Sequence, residues 1–147
     1  MRLNGHTALI SGRSSGIGRG VALGLAREGA AAIVINYPDE AQREVQRCTR
    51  PVSLYGGKAG VIAFSRSLAL EIGARDVRIN CVAPGATQTP ILDSVAPDVL
   101  SAIRAAIPIG RLAEVDDIVP TYVMLASADG RHYQGQCLSP NGGDHFL

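Results

Sequence analysis

A chain of 147 residues, 46% hydrophobic and 18% charged, has enough apolar material for one core of ordinary size and is read as a single domain over 1–147. A net charge of +1 gives no electrostatic pull toward nucleic acid or an anionic membrane, so neither is expected as a partner. No stretch approaches the ~20 apolar residues of a membrane span. Polar Asn4, Gly5 and His6 precede the first apolar run and do not read as a signal peptide, so a soluble, cytoplasmic protein is expected.

In chain order, Thr7 to Ser11 is a short apolar run that ends in a glycine-rich turn and reads as a buried strand. Ile17, Val21, Ala22, Leu25 and Ala26 then recur at helical spacing, with Gly29 placed to end the helix. Ala31 to Asn36 is β-branched and too short for a helix, which completes a strand–helix–strand unit and implies a parallel sheet. The polar stretch from Asp39 to about Arg50 is helix-compatible, and Pro51 is read as a break before a helix from about Tyr55 to Ile72. The apolar stripe of that helix is Val61, Phe64, Leu68 and Ile72, expected to pack on the sheet. Arg78 to Ala83 predicts a strand stopped by Pro84-Gly85. Helices follow around 98–107 and 115–126, and Gln136 to Ser139 is a last short strand. Pro120 falls inside the second of these helices, where it costs about 3 kcal/mol unless the helix kinks or starts late. The alternation predicts one α/β domain.

Gly12, Gly16 and Gly18 stand in a G-x-x-x-G-x-G spacing between strand and helix. The first permits a tight turn, the second lets backbone approach a phosphate, and the third lets the helix pack on the strand. The start of the helix then offers free N–H groups and a positive dipole end to a pyrophosphate, with Ser14 and Ser15 as added hydroxyl donors. No Gly-Lys-Ser/Thr closes the segment, which excludes a Walker-type loop. An acidic residue ending the second strand would favour NAD, but Asn36 stands there, and Arg13 in the turn could reach a 2′-phosphate. Both features lean toward NADP as cofactor. Cys48, Cys81 and Cys137 do not combine with His6, His132 or His145 in a metal-ligand spacing, so no metal is expected and the thiols are read as reduced and mostly buried.

From these residues the chain resembles the short-chain dehydrogenase/reductase family. Ser11 to Gly18 is similar to its TGxxxGIG turn, with serine for threonine. Tyr55 to Gly60, Arg78 to Gly85, Thr89, Ile109 to Arg111, Gly135-Gln136 and Asn141 to Gly143 follow in the family's order. The resemblance implies a reduced Rossmann-type doubly wound sheet and hydride transfer between NAD(P)(H) and a small-molecule carbonyl or alcohol. It implies that Tyr55 is the general acid/base and that Lys58, the one lysine in the chain, lowers its pKa and holds the nicotinamide ribose. It places Pro84, Gly85, Thr87 and Thr89 beside the nicotinamide, Gly12 to Gly18 and Asn36 along the rest of the dinucleotide, and the 61–72 helix in a homo-oligomer interface.

Two departures stand against it. The family spaces its pair Y-x-x-x-K, whereas Tyr55 and Lys58 are three apart and Leu54 occupies the fourth position back. One residue of offset turns the phenol by about 100° and shifts it by about 1.5 Å. Only Pro38 to Leu54 stands where the family has a long middle section carrying its central strands and catalytic serine, as if that section were deleted internally. Ser53 lies too near Tyr55 to replace the serine. The sheet must therefore close up, leave a gap or borrow strands. Two functional readings stay open: an oxidoreductase, or a catalytically impaired cofactor-binding or dimerising remnant of one.

Overall fold

The computed structural model describes residues 1–11, 15–36 and 51–145, with the backbone alone for 11, 35, 36 and 51–58. Strand β1 (Thr7–Ser11), helix α1 (Gly16–Arg27) and strand β2 (Ala32–Asn36) form the strand–helix–strand unit that the sequence predicts. The strands are parallel and in register from Thr7 opposite Ala32 to Ser11 opposite Asn36. Alternation sends Ala8, Ile10 and Ile33 to one face, where they join Leu3, Val21 and Leu25 in the core. The opposite face is bare: Leu9 is 73% exposed and its cross-strand neighbour Val34 52%. A parallel sheet ordinarily has both faces covered.

Helix α1 stops where its sequence demands. Ala30 N–H donates to Leu25 O at 3.1 Å and Gly29 N–H to Ala26 O at 3.0 Å, a paired closure that needs the left-handed φ of +85° at Gly29. The N-terminal segment is tied back over this end. Leu3 N–H donates to Glu28 O at 2.9 Å, and Asn4 bridges Ala30 in antiparallel fashion. This seats the Leu3 side chain in the core, worth about 1.5–3 kcal/mol relative to exposure.

The second half contains helix α2 (Pro51–Ile72), strand β3 (Cys81–Val82), helices α3 (Pro97–Ala106) and α4 (Val115–Ala126), and strand β4 (Cys137–Leu138). β3 and β4 form a second parallel pair, with Cys81 opposite Cys137 and Val82 opposite Leu138. Among the described residues the two pairs share no strand, so the sheet has not closed up. The reduced α/β architecture is as expected. Four local readings change.

Helix α2 already runs from Pro51, earlier than the expected start near Tyr55, and proline is tolerated in a first helical turn. The segment predicted as a strand over 78–83 narrows to 81–82, because Arg78, Ile79 and Asn80 are held mainly by side-chain bonds. Asn80 Nδ2 donates to Tyr133 O and its Oδ1 accepts from Gln136 N–H; Ile79 N–H donates to Gln134 Oε1. The last strand shortens to 137–138 as well. The first half of the α2 stripe is uncovered, with Val61 60% and Phe64 66% exposed, while Leu68 and Ile72 are half-buried. The face that does pack lies round the helix at Ala69 and Gly73, against Gln134 and Gly135, with Gln134 Nε2 donating to Ala69 O at 3.0 Å. The polar segment from Asp39 to Arg50 lies outside the described residues.

The halves join where α1 crosses α4. A Cβ on Gly20 would overlap Val115 Cγ1, and one on Gly24 would overlap Val119 Cγ1. The two valines thus sit directly on the α1 backbone, with Val123 completing the core below. Helix α4 is continuous through Pro120. At its far end Arg78 donates from Nη1 to Ser127 O at 2.7 Å and from Nη2 to Ala126 O at 2.9 Å, placing a cation on the carbonyl end of the helix.

Overpacking a close helix contact costs about 1–3 kcal/mol, while the better helix propensity of alanine returns up to ~1 kcal/mol. Gly24→Ala is expected to lower the urea midpoint, and Val119→Ala added to it to recover part of the loss. Gly60→Ala, on an exposed part of α2 with open space around the new Cβ, should leave stability unchanged or raise it. Equal effects of Gly24→Ala and Gly60→Ala would contradict the close crossing.

Candidate functional site

The first part of the site is the start of α1. Gly12, Arg13 and Ser14 lie outside the described residues. Ser15 is the N-cap, extended at φ −131° and ψ 168°, and its side chain makes no capping bond. Gly16 follows with φ +57°, and the first turn holds no acidic residue. Ile17 and Gly18 therefore begin a helix whose N-cap side chain makes no capping bond and whose first turn carries no carboxylate. That is the electrostatic condition for an anion at a helix N-terminus. Asn36 closes β2 opposite Ser11, so the ends of both strands open at the same edge as this turn.

The second part comes from the loop after β3. Gly85 N–H donates to Pro140 O at 3.2 Å, and a Cβ at Gly85 would lie 2.7 Å from Asn141 Cα, so only glycine lets Pro84-Gly85 run against Pro140-Asn141. Thr87 is buried; its Oγ1 donates to Gly85 O at 2.9 Å, which fixes the bend. Beyond it Gln88 N–H donates to Ala113 O at 2.7 Å and Ala113 N–H to Ala86 O at 3.0 Å. Thr89 is thereby held extended, and its methyl would lie 3.2 Å from a Cβ on Gly16. The glycine turn and the loop after β3 meet at this point. Sequence spacing gave no sign of this contact, since 73 positions separate the two residues.

The C-terminal wall is Asn141-Gly142-Gly143. Gly142 and Gly143 adopt φ +69° and +90° and lie against Ile107 and Pro108, while Asn141 Oδ1 accepts from Gly143 N–H. A cavity of about 240 Å³ borders this wall between Ile109, Arg111, Asp117, Ile118 and Asn141. His145 is exposed at the end of the described chain. Tyr55 and Lys58 occupy the first two turns of α2, and their side chains are not described. Three positions apart on one helix, they lie on neighbouring parts of its surface.

Two features went unread in the sequence. Cys81 and Cys137, far apart in the chain, are cross-strand neighbours, and both are only partly open to solvent. Burial pushes the Cys137 thiol up, with Cys81 adding to the rise and Arg66 opposing it. Arg111 donates to both carboxylate oxygens of Asp117, at 2.6 and 2.9 Å, and Glu114 N–H donates to Oδ2 at 2.7 Å. These bonds hold the Asp117 carboxyl at about 2. They also fasten the loop carrying Arg111 to the first turn of α4.

A family model described as enoyl-(acyl carrier protein) reductase matches residues 53–145, more than half of the 147 residues. The chain is 41% identical over 86 residues to an acetoacetyl-CoA reductase of Acinetobacter sp. (strain RA3849), covering 58% of this chain and 35% of that protein. It is 41% identical over 86 residues to the 3-oxoacyl-(acyl-carrier-protein) reductase of Haemophilus influenzae, covering 58% and 36%. It is 37% identical over 87 residues to a glucose and ribitol dehydrogenase homolog of Oryza sativa subsp. japonica, covering 58% and 29%. The chain thus spans about a third of the length of the curated relatives it matches.

A carboxyl with a depressed folded pKa adds stability above its unfolded value near 4 and loses it as pH falls through the folded value. The melting temperature is expected to be insensitive to this pair between pH 7 and 5 and to fall between pH 4 and 2. Asp117→Asn should lower it at pH 7 and remove that part of the acid dependence. An unchanged acid profile in Asp117→Asn would show that the pair does not hold α4 to the loop.

Proposed function

The chain belongs to the short-chain dehydrogenase/reductase family, and we propose that it binds NADP(H) and acts as an oxidoreductase interconverting a small-molecule carbonyl and an alcohol. The observation that carries this reading is the seating of Thr89 on Gly16, which brings the phosphate-type helix start and the loop after β3 to one place. The residues present fit a dinucleotide: an N-cap side chain that makes no capping bond, a first turn with no acidic residue, and a glycine at 16 that leaves room beside Thr89. Ser15, Gly16, Ile17 and Gly18, with Gly12, Arg13 and Ser14 before them, would hold the pyrophosphate. Asn36 would meet the adenine ribose, and Arg13 a 2′-phosphate, hence NADP before NAD.

Pro84, Gly85, Thr87 and Thr89 would line the nicotinamide end. When bound, the nicotinamide supplies or accepts the hydride. Tyr55 would pass the proton to or from the substrate oxygen, and Lys58 beside it would draw the phenol down from its usual value near 10. Domain extent, 1–147 as one unit, belongs to the same proposal.

A second reading has its own support: a cofactor-binding or dimerising protein with impaired chemistry. Val61 and Phe64 form a bare apolar stripe on α2, suited to a homo-oligomer contact, and the short Tyr55–Lys58 spacing counts against efficient proton transfer.

Melting with and without cofactor tests binding first. NADPH at about 100 times its dissociation constant stabilises by ~2.7 kcal/mol, a rise of several degrees, and NADH should give less. An unchanged midpoint at saturating NADPH would sink the oxidoreductase reading and the cofactor-binding form of the second. If a carbonyl panel then gives turnover, Tyr55→Phe should cut it at least ~100-fold with the NADPH-induced melting shift retained. NADPH binding without turnover favours the second reading, in which the Val61→Ser/Phe64→Ser double variant should lower the mass measured by light scattering.

A further inference from the structure

Cys81 and Cys137 are aligned Cα to Cα across the parallel pair β3 and β4. Cys81 N–H donates to Gln136 O at 2.7 Å and Ala83 N–H to Leu138 O at 2.8 Å, so the ladder is closed on both sides of the pair and the register is fixed. Directly opposed residues in a parallel ladder point to the same face, with strands about 4.8 Å apart. A disulfide needs Cα atoms about 4.4–6.8 Å apart and Cβ atoms about 3.5–4.5 Å apart. The backbone spacing is already within range, and a shift of under about 1 Å brings the Cβ atoms into it. Both thiols are free and partly open to solvent.

We propose that Cys81 and Cys137 are an oxidative modification site, closed to a reversible intramolecular disulfide by a hydroperoxide. One thiolate attacks the peroxide, the O–O bond breaks, and an S–O bond forms with release of water or an alcohol. The second thiol attacks that sulfur, the S–S bond forms, the S–O bond breaks and water leaves. Two thiol hydrogens and two electrons pass to the peroxide. Because the bridge draws in two strands whose spacing the ladder sets, it is strained and easily reduced, as labile disulfides are. The bridge also acts on the wall above it. Three residues beyond Cys81 the chain reaches Pro84-Gly85, and three beyond Cys137 it reaches Pro140-Asn141, the segments already in closest approach.

The test is peptide mapping of the whole chain after hydrogen peroxide, with alkylation of the remaining thiols. Trypsin places Cys48, Cys81 and Cys137 on separate peptides, since cleavage follows Arg47, Lys58, Arg78, Arg104 and Arg131, the Arg50–Pro51 bond being resistant. The expected result is a loss of two hydrogens from the monomer mass at any protein concentration and a linked pair of the 79–104 and 132–147 peptides, with Cys48 still alkylated. Glutathione should restore both thiols. Linkage to Cys48, links between chains, sulfinic acid on separate cysteines, or no change would each overturn the proposal. Cys81→Ser and Cys137→Ser should each abolish the linked pair, and if either fails to fold the map of the unaltered chain still decides.

Discussion

Where α1 crosses α4, two glycines meet two valines, and the rest of the structure follows from how near that lets the helices come. Gly20 and Gly24 present bare backbone, and Val115 and Val119, stiff at χ1, fill the space that a Cβ would occupy. The first half has a two-stranded sheet and one helix, too little to bury a core alone. Set against α4, it gains Val123 beneath Val21 and Leu25 and a continuous apolar interior. The same crossing fixes the start of α1 relative to the loop after β3, so that Thr89 reaches Gly16. Site geometry is inherited from helix packing.

Much of this was legible in the residues. β1, α1 and β2 follow from short apolar runs either side of an amphipathic stretch, and the end of α1 from Gly29. The glycines at 12, 16 and 18 stood out because a turn before a helix needs them. Gly20 and Gly24 did not, because a glycine inside a helix looks only like lost propensity until its neighbour is known. The contacts of Thr89, Cys81 and Cys137 were likewise silent, since each depends on a partner more than fifty positions away.

The misread elements share a cause. Arg78 to Ala83 has the β-branched content of a strand, yet polar side chains from 134 and 80 satisfy much of the backbone before the ladder begins at Cys81. Val61, Phe64 and Leu68 have the spacing of a core stripe, but a pattern states only that a surface is apolar. It does not say that a covering layer exists. Here the contact surface of α2 lies instead along Ala69 and Gly73, where small residues let the 134–135 segment approach.

The bare sheet face has a consequence during biosynthesis. Leu9 and Val34 lie side by side in strands that carry no lysine or proline between 7 and 11 or between 32 and 36, so nothing along them deters a passing chain. A nascent polypeptide that exposes such a surface partitions between productive folding and capture by chaperones or like chains, in proportion to its concentration.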